Sequence, residues 1–254
     1  MPTNCHGMVS VPVKNSAMNG GMTARLATLW IAISLVSCAR APAPVKTGTL
    51  RGRVLLTGAP PPRAPVDRHT DPICSETKRL DDSVIVGANG GLKDVFVKLT
   101  GSLPAAPSGA PTQIVLEQRQ CTYEPRVTGL REGQTLAVKN LDGTLHNVHV
   151  FRGTQTLLNR SQKIGSEPVL REIDGPPALL EVKCDVHPWM EAHIFVSDHP
   201  WFSVSKDDGS FELNDVPSGP RTLELWHAVY GKLAAQIEVP AGAAATVELS
   251  YPAR

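Results

Sequence analysis

Short runs that alternate between apolar and polar residues recur along this chain, and they constrain its fold more than any other feature. Side chains of a β-strand point alternately to its two faces, so this pattern predicts strands with one buried face. Turn sequences such as ANGG (88–91), KDDGS (206–210) and VPSGP (216–220) separate the runs. No helical periodicity stands out after residue 38, so we predict an all-β fold of packed sheets. The apolar positions of three such runs are Val95, Val97 and Leu99; Ala235, Ile237 and Val239; and Val247, Leu249 and Tyr251.

The composition limits the size of the fold and the kind of partner. With 254 residues, the chain is long enough for one large or two small domains. Its formal net charge is +1, whereas binding to duplex nucleic acid normally needs a strongly basic surface. Aromatic residues make up 5% of the chain, which is too few for a surface that stacks single-stranded bases. We therefore expect no nucleic-acid partner.

An apolar segment near the N-terminus has the features of an export signal. The sequence MTARLATLWIAISLVSC begins at Met22, and Arg25 precedes its apolar run. It predicts a helical signal peptide over 22–38 that is too short and one-sided to span a membrane. The alternative is an uncleaved apolar anchor. Residues 1–21 are predicted to be an upstream extension, with translation starting at Met22.

The end of this segment, LVSC, resembles a bacterial lipobox. The resemblance implies cleavage before Cys38 and attachment of a lipid to its thiol. The chain would then be held on the periplasmic side of a bacterial membrane by the lipid anchor alone, and Ala39 favours the outer membrane. Residues 39–48, ARAPAPVKTG, predict an extended linker rich in proline and alanine.

The chain has five cysteines, and their positions give them different expected roles. Cys5 precedes the signal segment, Cys38 is the predicted lipid site, and Cys184 lies in a ligand-rich motif. Cys74 and Cys121 remain, and two such cysteines in an exported protein are predicted to form a disulfide. The alternative is two buried free thiols.

Two stretches on either side of the chain's middle resemble parts of one β-sandwich. GTLRGRVLLTGAPP, near the start, and VSKDDGSFELNDVPSGPRTLELWH, near the end, are similar to strands of the carboxypeptidase regulatory-like (transthyretin-like) family. The resemblance implies that 48–110 and 199–254 form one sandwich and that 111–198 is inserted into it. Two sequential domains divided near 198 are the alternative. The residues that match the family pattern are Asp208, Gly209, Phe211, Val216, Pro217, Gly219 and Leu223.

Two motifs in the middle segment contain metal-ligand side chains. His146 lies in HNVH, and Cys184, His187 and Met190 lie in KCDVHPWM. Two histidines, a cysteine and a weak methionine are the ligand set of a blue-copper site. Zinc is the nearest competitor because cysteine and histidine also bind it, but thioether is a poor zinc ligand. An ordinary turn without a metal is the remaining alternative.

The order and spacing of these motifs resemble the cupredoxins, closest to the amicyanin and plastocyanin group. The resemblance implies a Greek-key β-sandwich over 111–198 with one type 1 copper bound by His146, Cys184, His187 and Met190. It also implies that Asn147 braces the ligand loops, in part through its backbone amide and the thiolate. A simple turn-stabilising role is the alternative for Asn147.

The resemblance further implies a function. The chain is expected to be a lipid-anchored, extracytoplasmic electron carrier and not an enzyme. Its expected partner is a redox protein such as a periplasmic dehydrogenase or a c-type cytochrome. Copper storage or delivery, and a surface binding module, are the alternatives. The sequence departs from the family in having Cys74 and Cys121, and we expect their disulfide to staple the two sandwiches together. From their strand positions, His149 and His193 are expected at the solvated strand surface.

Overall fold

A computed structural model of the chain describes residues 45–106 and 113–253. The predicted upstream extension, the signal peptide with Cys38, and most of the linker over 39–48 lie outside the described residues. Within the two described ranges, no helix combines the length and the apolar character that a membrane span requires.

The regular structure of the described residues is almost entirely β-strand, which confirms the predicted fold class. A four-residue helix, α1 (Pro72–Ser75), and a single 3-10 turn, Ala88–Gly90, lie between the first two strands. In chain order the strands are β1 (Thr47–Thr57), β2 (Phe96–Thr100), β3 (Gln113–Arg119), β4 (Thr122–Glu124), β5 (Val127–Arg131), β6 (Thr135–Asn140), β7 (His146–Arg152), β8 (Gln155–Gln162), β9 (Val169–Glu172), β10 (Ala178–Lys183), β11 (Glu191–Ser197), β12 (Phe202–Val204), β13 (Ser210–Pro217), β14 (Gly219–His227), β15 (Gly231–Val239) and β16 (Ala244–Pro252).

Strands from both ends of the described chain pack into one sandwich, here called the host sandwich. One of its sheets has the order β13-β1-β16 and the other has the order β12-β2-β14-β15. Strand β1 is antiparallel to β13 and parallel to β16. Side chains of both sheets share one core, which includes Leu50, Val97, Phe211, Leu223 and Tyr251. Strands before residue 113 and strands after residue 197 therefore belong to the same sheets.

Strands β3 to β11 form a second sandwich, here called the central sandwich. Its sheets have the orders β5-β11-β10-β7-β8 and β4-β3-β6-β9. Strand β10 is antiparallel to both β7 and β11, and Lys183 pairs with His149 on one side and Glu191 on the other. The end of β10, the start of β11 and the start of β7 therefore meet at one end of the sandwich. The domain limits 48–110, 111–198 and 199–254 stay predictions, as does the regulatory-like assignment of the host sandwich.

Aromatic rings join the two sandwiches at close range. Phe96 of β2 stacks on Phe195 of β11, with ring centroids 4.0 Å apart and planes 4° from parallel. At Gly129 of β5, an added Cβ would lie 2.4 Å from a ring carbon of Phe202 and 2.8 Å from one of Phe96. Only glycine therefore fits at this contact. Phe96 is 1% exposed because the contact covers the outward face of its strand.

Asp94, just before β2, gives the first testable prediction. Burial raises the pKa of Asp94 to about 6. The positive charges of Lys93 and Arg126 lower this pKa, and the negative charges of Asp82 and Asp207 raise it. Because the folded-state pKa lies above the ordinary value of 3.8, the neutral carboxyl stabilises the fold in acid and this contribution is lost as the pH rises through 6. We expect Asp94→Asn to raise the free energy of unfolding at pH 7 by up to about 3 kcal/mol, measured by urea unfolding.

A matched control exists for this substitution. Asp94 has a φ of 61° and Asp215 a φ of 52°, and asparagine is well tolerated in that left-handed region. Asp215 is exposed, so Asp215→Asn should leave the unfolding midpoint unchanged. A gain for Asp94→Asn that is as large at pH 3.5 as at pH 7 would contradict the assignment.

Candidate metal centre

The ligand loop, Cys184–Met190, connects β10 to β11 at one end of the central sandwich. Two backbone hydrogen bonds close it: the amide of Met190 donates to the carbonyl of His187 (2.9 Å), and the amide of Cys184 donates to the carbonyl of Met190 (3.2 Å). Leu180, Val182 and Cys184 occupy alternate positions along β10 and just after it, and all three are buried. The thiol therefore enters the end of the core, and the loop folds back over it.

Three ligand-type side chains converge at this end of the sandwich. His146 begins β7, which is hydrogen-bonded to β10, so it lies beside Cys184. The Nδ1 atoms of His146 and His187 are 2.9 Å apart, and the Sγ of Cys184 is 3.8 Å from the Nδ1 of His187. The exposed fractions of His146, Cys184 and His187 are 0%, 3% and 1%. The three donors thus form a compact group that is closed to solvent.

The fourth predicted ligand, Met190, belongs to the same buried cluster as Cys184. It is 1% exposed and ends the ligand loop immediately before β11. Its thioether is held within the core, and the loop's hydrogen bonds fix its backbone relative to His187.

The outer nitrogen of each imidazole faces a carboxylate. The Nε2 of His146 is 2.9 Å from an Asp142 oxygen, and the Nε2 of His187 is 3.2 Å from an Asp71 oxygen. If both Nε2–H groups donate to these carboxylates, neither Nδ1 atom carries a proton. The lone pairs of the two Nδ1 atoms, which are 2.9 Å apart, then face each other. A positive ion, either a proton or a metal, has to satisfy them.

Hydrogen bonds at the Cys184 sulfur favour its ionised form. Burial opposes ionisation, but the hydrogen bond with His146 and the backbone amide of Asn147, which donates to Sγ at 3.4 Å, outweigh it. The pKa of Cys184 therefore lies below its ordinary value. The thiolate is the form that binds metals.

The donor set fits a single soft or borderline metal ion. The spacings of 2.9 Å and 3.8 Å suit two nitrogens about 2.0 Å and one sulfur about 2.3 Å from a shared ion. Two imidazoles and a thiolate suit copper or zinc, and the buried thioether of Met190 at the end of the same loop favours copper. His146, Cys184, His187 and Met190 are therefore the residues that would hold copper here.

Asn147 joins β7 to the ligand loop. Besides its backbone contact with Cys184, its side-chain oxygen accepts from the backbone amide of Asp185 (2.5 Å). Its side-chain nitrogen donates to Asp185 (3.0 Å) and to Asn159 (2.7 Å). This network fixes the start of the ligand loop against the strand that begins with His146.

Tyr123 of β4 braces the site from within the core. It is 2% exposed, and its hydroxyl lies 2.6 Å from the carbonyl of Asn147 and 3.2 Å from that of Lys183. These two residues directly follow His146 and precede Cys184. Burial raises the pKa of Tyr123, so its hydroxyl stays protonated and able to donate.

A disulfide between Cys74 and Cys121 closes the outside of the site. Cys74 lies in α1, in the stretch between β1 and β2, and its sulfur is 3.9 Å from the Nε2 of His187. The indole nitrogen of Trp189 donates to the carbonyl of Cys121 (3.1 Å), and its ring is 5.0 Å from that of His187. The disulfide therefore ties a segment outside 111–198 to the ligand end of the central sandwich.

The two other histidines near the site lie apart from the three converging donors. His149 contacts Asp185 (2.9 Å) and Thr156 (3.0 Å) near the strand surface. The prediction of a solvated His193 is wrong, because this residue is only partly exposed and its ring packs 4.9 Å from that of Trp226 of the host sandwich. The sequence pattern of one strand cannot reveal a surface that another sheet covers.

Sequence reasoning missed Asp71, Asp142 and Tyr123. Asp142 lies four residues before His146 in NLDGT, a sequence typical of a turn and not by itself of a site. Asp71 precedes Pro72, a pattern typical of a helix start, and its side chain accepts from the amide of Cys74 as the N-cap of α1. That pattern could have indicated α1, but not its contact with His187.

No protein-family model and no curated protein matches this sequence. Among solved structures, the chain is similar to a copper-containing nitrite reductase from Thermus scotoductus SA-01, with 17% identity over 39% of this chain and a TM-score of 0.31. The chain spans a quarter of that enzyme's length.

Two smaller structures align over most of their own length. A reduced mutant of amicyanin is 22% identical over 40% of this chain and 98% of its own, with a TM-score of 0.30. A purple cupredoxin from Nitrosopumilus maritimus is 20% identical over 34% of this chain and 100% of its own, with a TM-score of 0.30.

Proposed function

We propose that this chain binds one copper ion and acts as an electron carrier. His146, Cys184 and His187 would be strong ligands and Met190 a weak one. The observation that supports this most is the convergence of two imidazole nitrogens and one sulfur at a single buried point. Copper bound there would supply a one-electron redox couple.

The residues around the ligands hold this arrangement fixed. Asn147 keeps its amide on the sulfur of Cys184, and Tyr123 ties the backbones of the two ligand segments together. Asp142 and Asp71 hold the outer nitrogens of the two imidazoles. A site that moves little between oxidation states suits electron transfer, because little reorganisation accompanies each electron.

Burial of the ligands favours an electron carrier over a copper enzyme and over a protein that delivers copper. His146, Cys184, His187 and Met190 are each at most 3% exposed. An enzyme needs an open coordination position for its substrate, and a copper donor needs ligands that a recipient can reach. An electron requires neither, since it can leave through a closed protein surface.

The direct test is to load the purified protein with one equivalent of Cu(II) and to record its absorption and EPR spectra. We expect an intense blue or green charge-transfer band and a narrow copper hyperfine splitting. After reduction, a Cu(I) chelator should remove the copper slowly. The time needed for this loss should be much longer than the time of one cycle of oxidation and reduction. An ordinary tetragonal Cu(II) spectrum would refute the proposal, and rapid loss of copper to the chelator would favour delivery.

The proposed setting of this carrier rests on sequence features outside the described residues. The signal segment over 22–38 and the lipobox-like LVSC support a lipid anchor at Cys38 on the periplasmic side of a bacterial membrane, with Ala39 favouring the outer membrane. The partner would be a periplasmic dehydrogenase or a c-type cytochrome, and a regulatory-like host sandwich would serve as the scaffold. Intact mass of the membrane-extracted protein tests the anchor, because cleavage before Cys38 removes every preceding residue and lipidation adds the mass of the lipid to Cys38.

A further inference from the structure

The outer edge of His187 is covered by a part of the chain that lies outside 111–198. Its Nε2 is 3.2 Å from an oxygen of Asp71, which comes from the stretch between β1 and β2. The side chain of His187 is 1% exposed and that of Asp71 is 14% exposed. The carboxylate therefore stands between this ligand ring and the solvent.

Several contacts fix the Asp71 carboxylate in this position. One oxygen accepts from the backbone amide of Cys74 (3.0 Å), and the other accepts from the hydroxyl of Thr144 (2.8 Å) as well as facing His187. Cys74 is itself tied to Cys121 by the disulfide. Both oxygens are thus engaged, and the carboxylate cannot turn away from the imidazole without breaking these bonds.

The charges around this contact are partly balanced. Arg68 is 4% exposed, and its Nη2 donates to the carbonyl of Gln120 (3.1 Å). Its positive charge interacts with the negative charges of Asp142 and Asp71. Two carboxylates face the two imidazoles, and one buried guanidinium offsets part of their charge. The groups that face the outer nitrogens of the two ligand rings are therefore both carboxylates.

We infer that Asp71 is a positioning residue for His187. By accepting the Nε2–H, its carboxylate fixes the ring orientation and the tautomer that leaves Nδ1 free to bind a metal, and it makes the imidazole a stronger donor. A stronger donor favours Cu(II) over Cu(I), so Asp71 lowers the reduction potential of the site. This inference rests on the proposed function, and it assigns control of the potential to a residue of the stretch between β1 and β2.

Substitution of Asp71 by serine separates this role from helix capping. Serine is a good N-cap, so Asp71→Ser keeps an acceptor for the amide of Cys74 but is too short to reach His187. In a redox titration of the copper-loaded protein, we expect the variant to favour Cu(I) about tenfold more than the original protein does. This corresponds to a reduction potential that is higher by about 59 mV for one electron. Asp71→Asn keeps the shape without the charge and should give a smaller change in the same direction.

The matched control is Asp67→Ser, which removes the same charge four residues earlier. The side chain of Asp67 is 74% exposed and pairs with His69 at the surface, so the reduction potential should stay unchanged. Equal potentials for Asp71→Ser and Asp67→Ser would overturn the inference while leaving the proposed function intact.

A second readout needs no copper. In the metal-free protein, ¹⁵N NMR shifts of the His187 ring should report a proton on Nε2, and Asp71→Ser should shift the ring towards the other tautomer. If the original protein forms no blue site, the proposed function fails, and this readout decides the role of Asp71 alone. An unchanged tautomer in Asp71→Ser would then overturn the inference.

Discussion

The Cys184→Ser variant is expected to lose the blue charge-transfer band completely while the chain stays folded. The band arises from a thiolate bonded to Cu(II), and the other cysteines of the described residues, Cys74 and Cys121, are joined in a disulfide. Serine is slightly smaller than cysteine, so the core around position 184 is little disturbed. Absorption between 400 and 700 nm, roughly the visible range of such bands, is the measurement, with far-UV circular dichroism to check the fold.

A neighbouring histidine provides the control for this experiment. His149 lies on the same strand as His146 but contacts Asp185 and Thr156 near the surface. His149→Gln should therefore keep the band, whereas His146→Gln should lose it or convert it to an ordinary Cu(II) spectrum. A band that survives in Cys184→Ser would show that another residue supplies the sulfur or that the colour has a different origin.

Removal of the Cys74–Cys121 disulfide is expected to have the largest effect on stability. The bond closes a loop with a sequence separation of 47 residues. In the chain-entropy description, a loop of that length restricts the unfolded chain by roughly 4 kcal/mol, so Cys74→Ser/Cys121→Ser should lower the free energy of unfolding by about that amount. Urea unfolding of the metal-free protein, with midpoint and slope fitted together, measures it.

Reductant supplies the internal control for the double variant. A dithiol should lower the midpoint of the original protein towards that of the variant, and it should leave the variant itself unchanged. Since α1 also places Asp71 beside His187, the copper-loaded variant should show a shifted absorption spectrum as well. Equal midpoints for the original and the variant under oxidising conditions would contradict the stapling role of the disulfide.

Local sequence patterns predicted the fold class because the alternation of apolar and polar residues along a strand indicates which face of that strand is buried. In β15, the inward positions Ala235, Ile237 and Val239 are more buried than the intervening Gln236 and Glu238. The burial of Phe96 could not be predicted in this way. Its strand has a second face covered by the other sandwich, and only the packing of Phe96 on Phe195 reveals it.

The four candidate ligands could be named from the sequence because three of them lie within seven residues and the fourth begins a recognisable strand. Their partners could not be named in the same way. Asp71 is 116 residues from His187, and Tyr123 is 24 residues from Asn147. Such contacts depend on how separate segments pack, and no spacing rule along the chain encodes them.

Because Asp71 and Cys74 come from the stretch between β1 and β2, the candidate metal site does not lie within one continuous segment of the chain. A fragment limited to 111–198 would carry all four candidate ligands but would leave behind the carboxylate on His187 and half of the disulfide. Its imidazole edge would open to water, and Phe195 would lose its stacking partner. The candidate site therefore combines residues of the central sandwich with residues of the stretch between β1 and β2, and transplanting the ligand motifs alone into another scaffold would leave Asp71 and Cys74 behind.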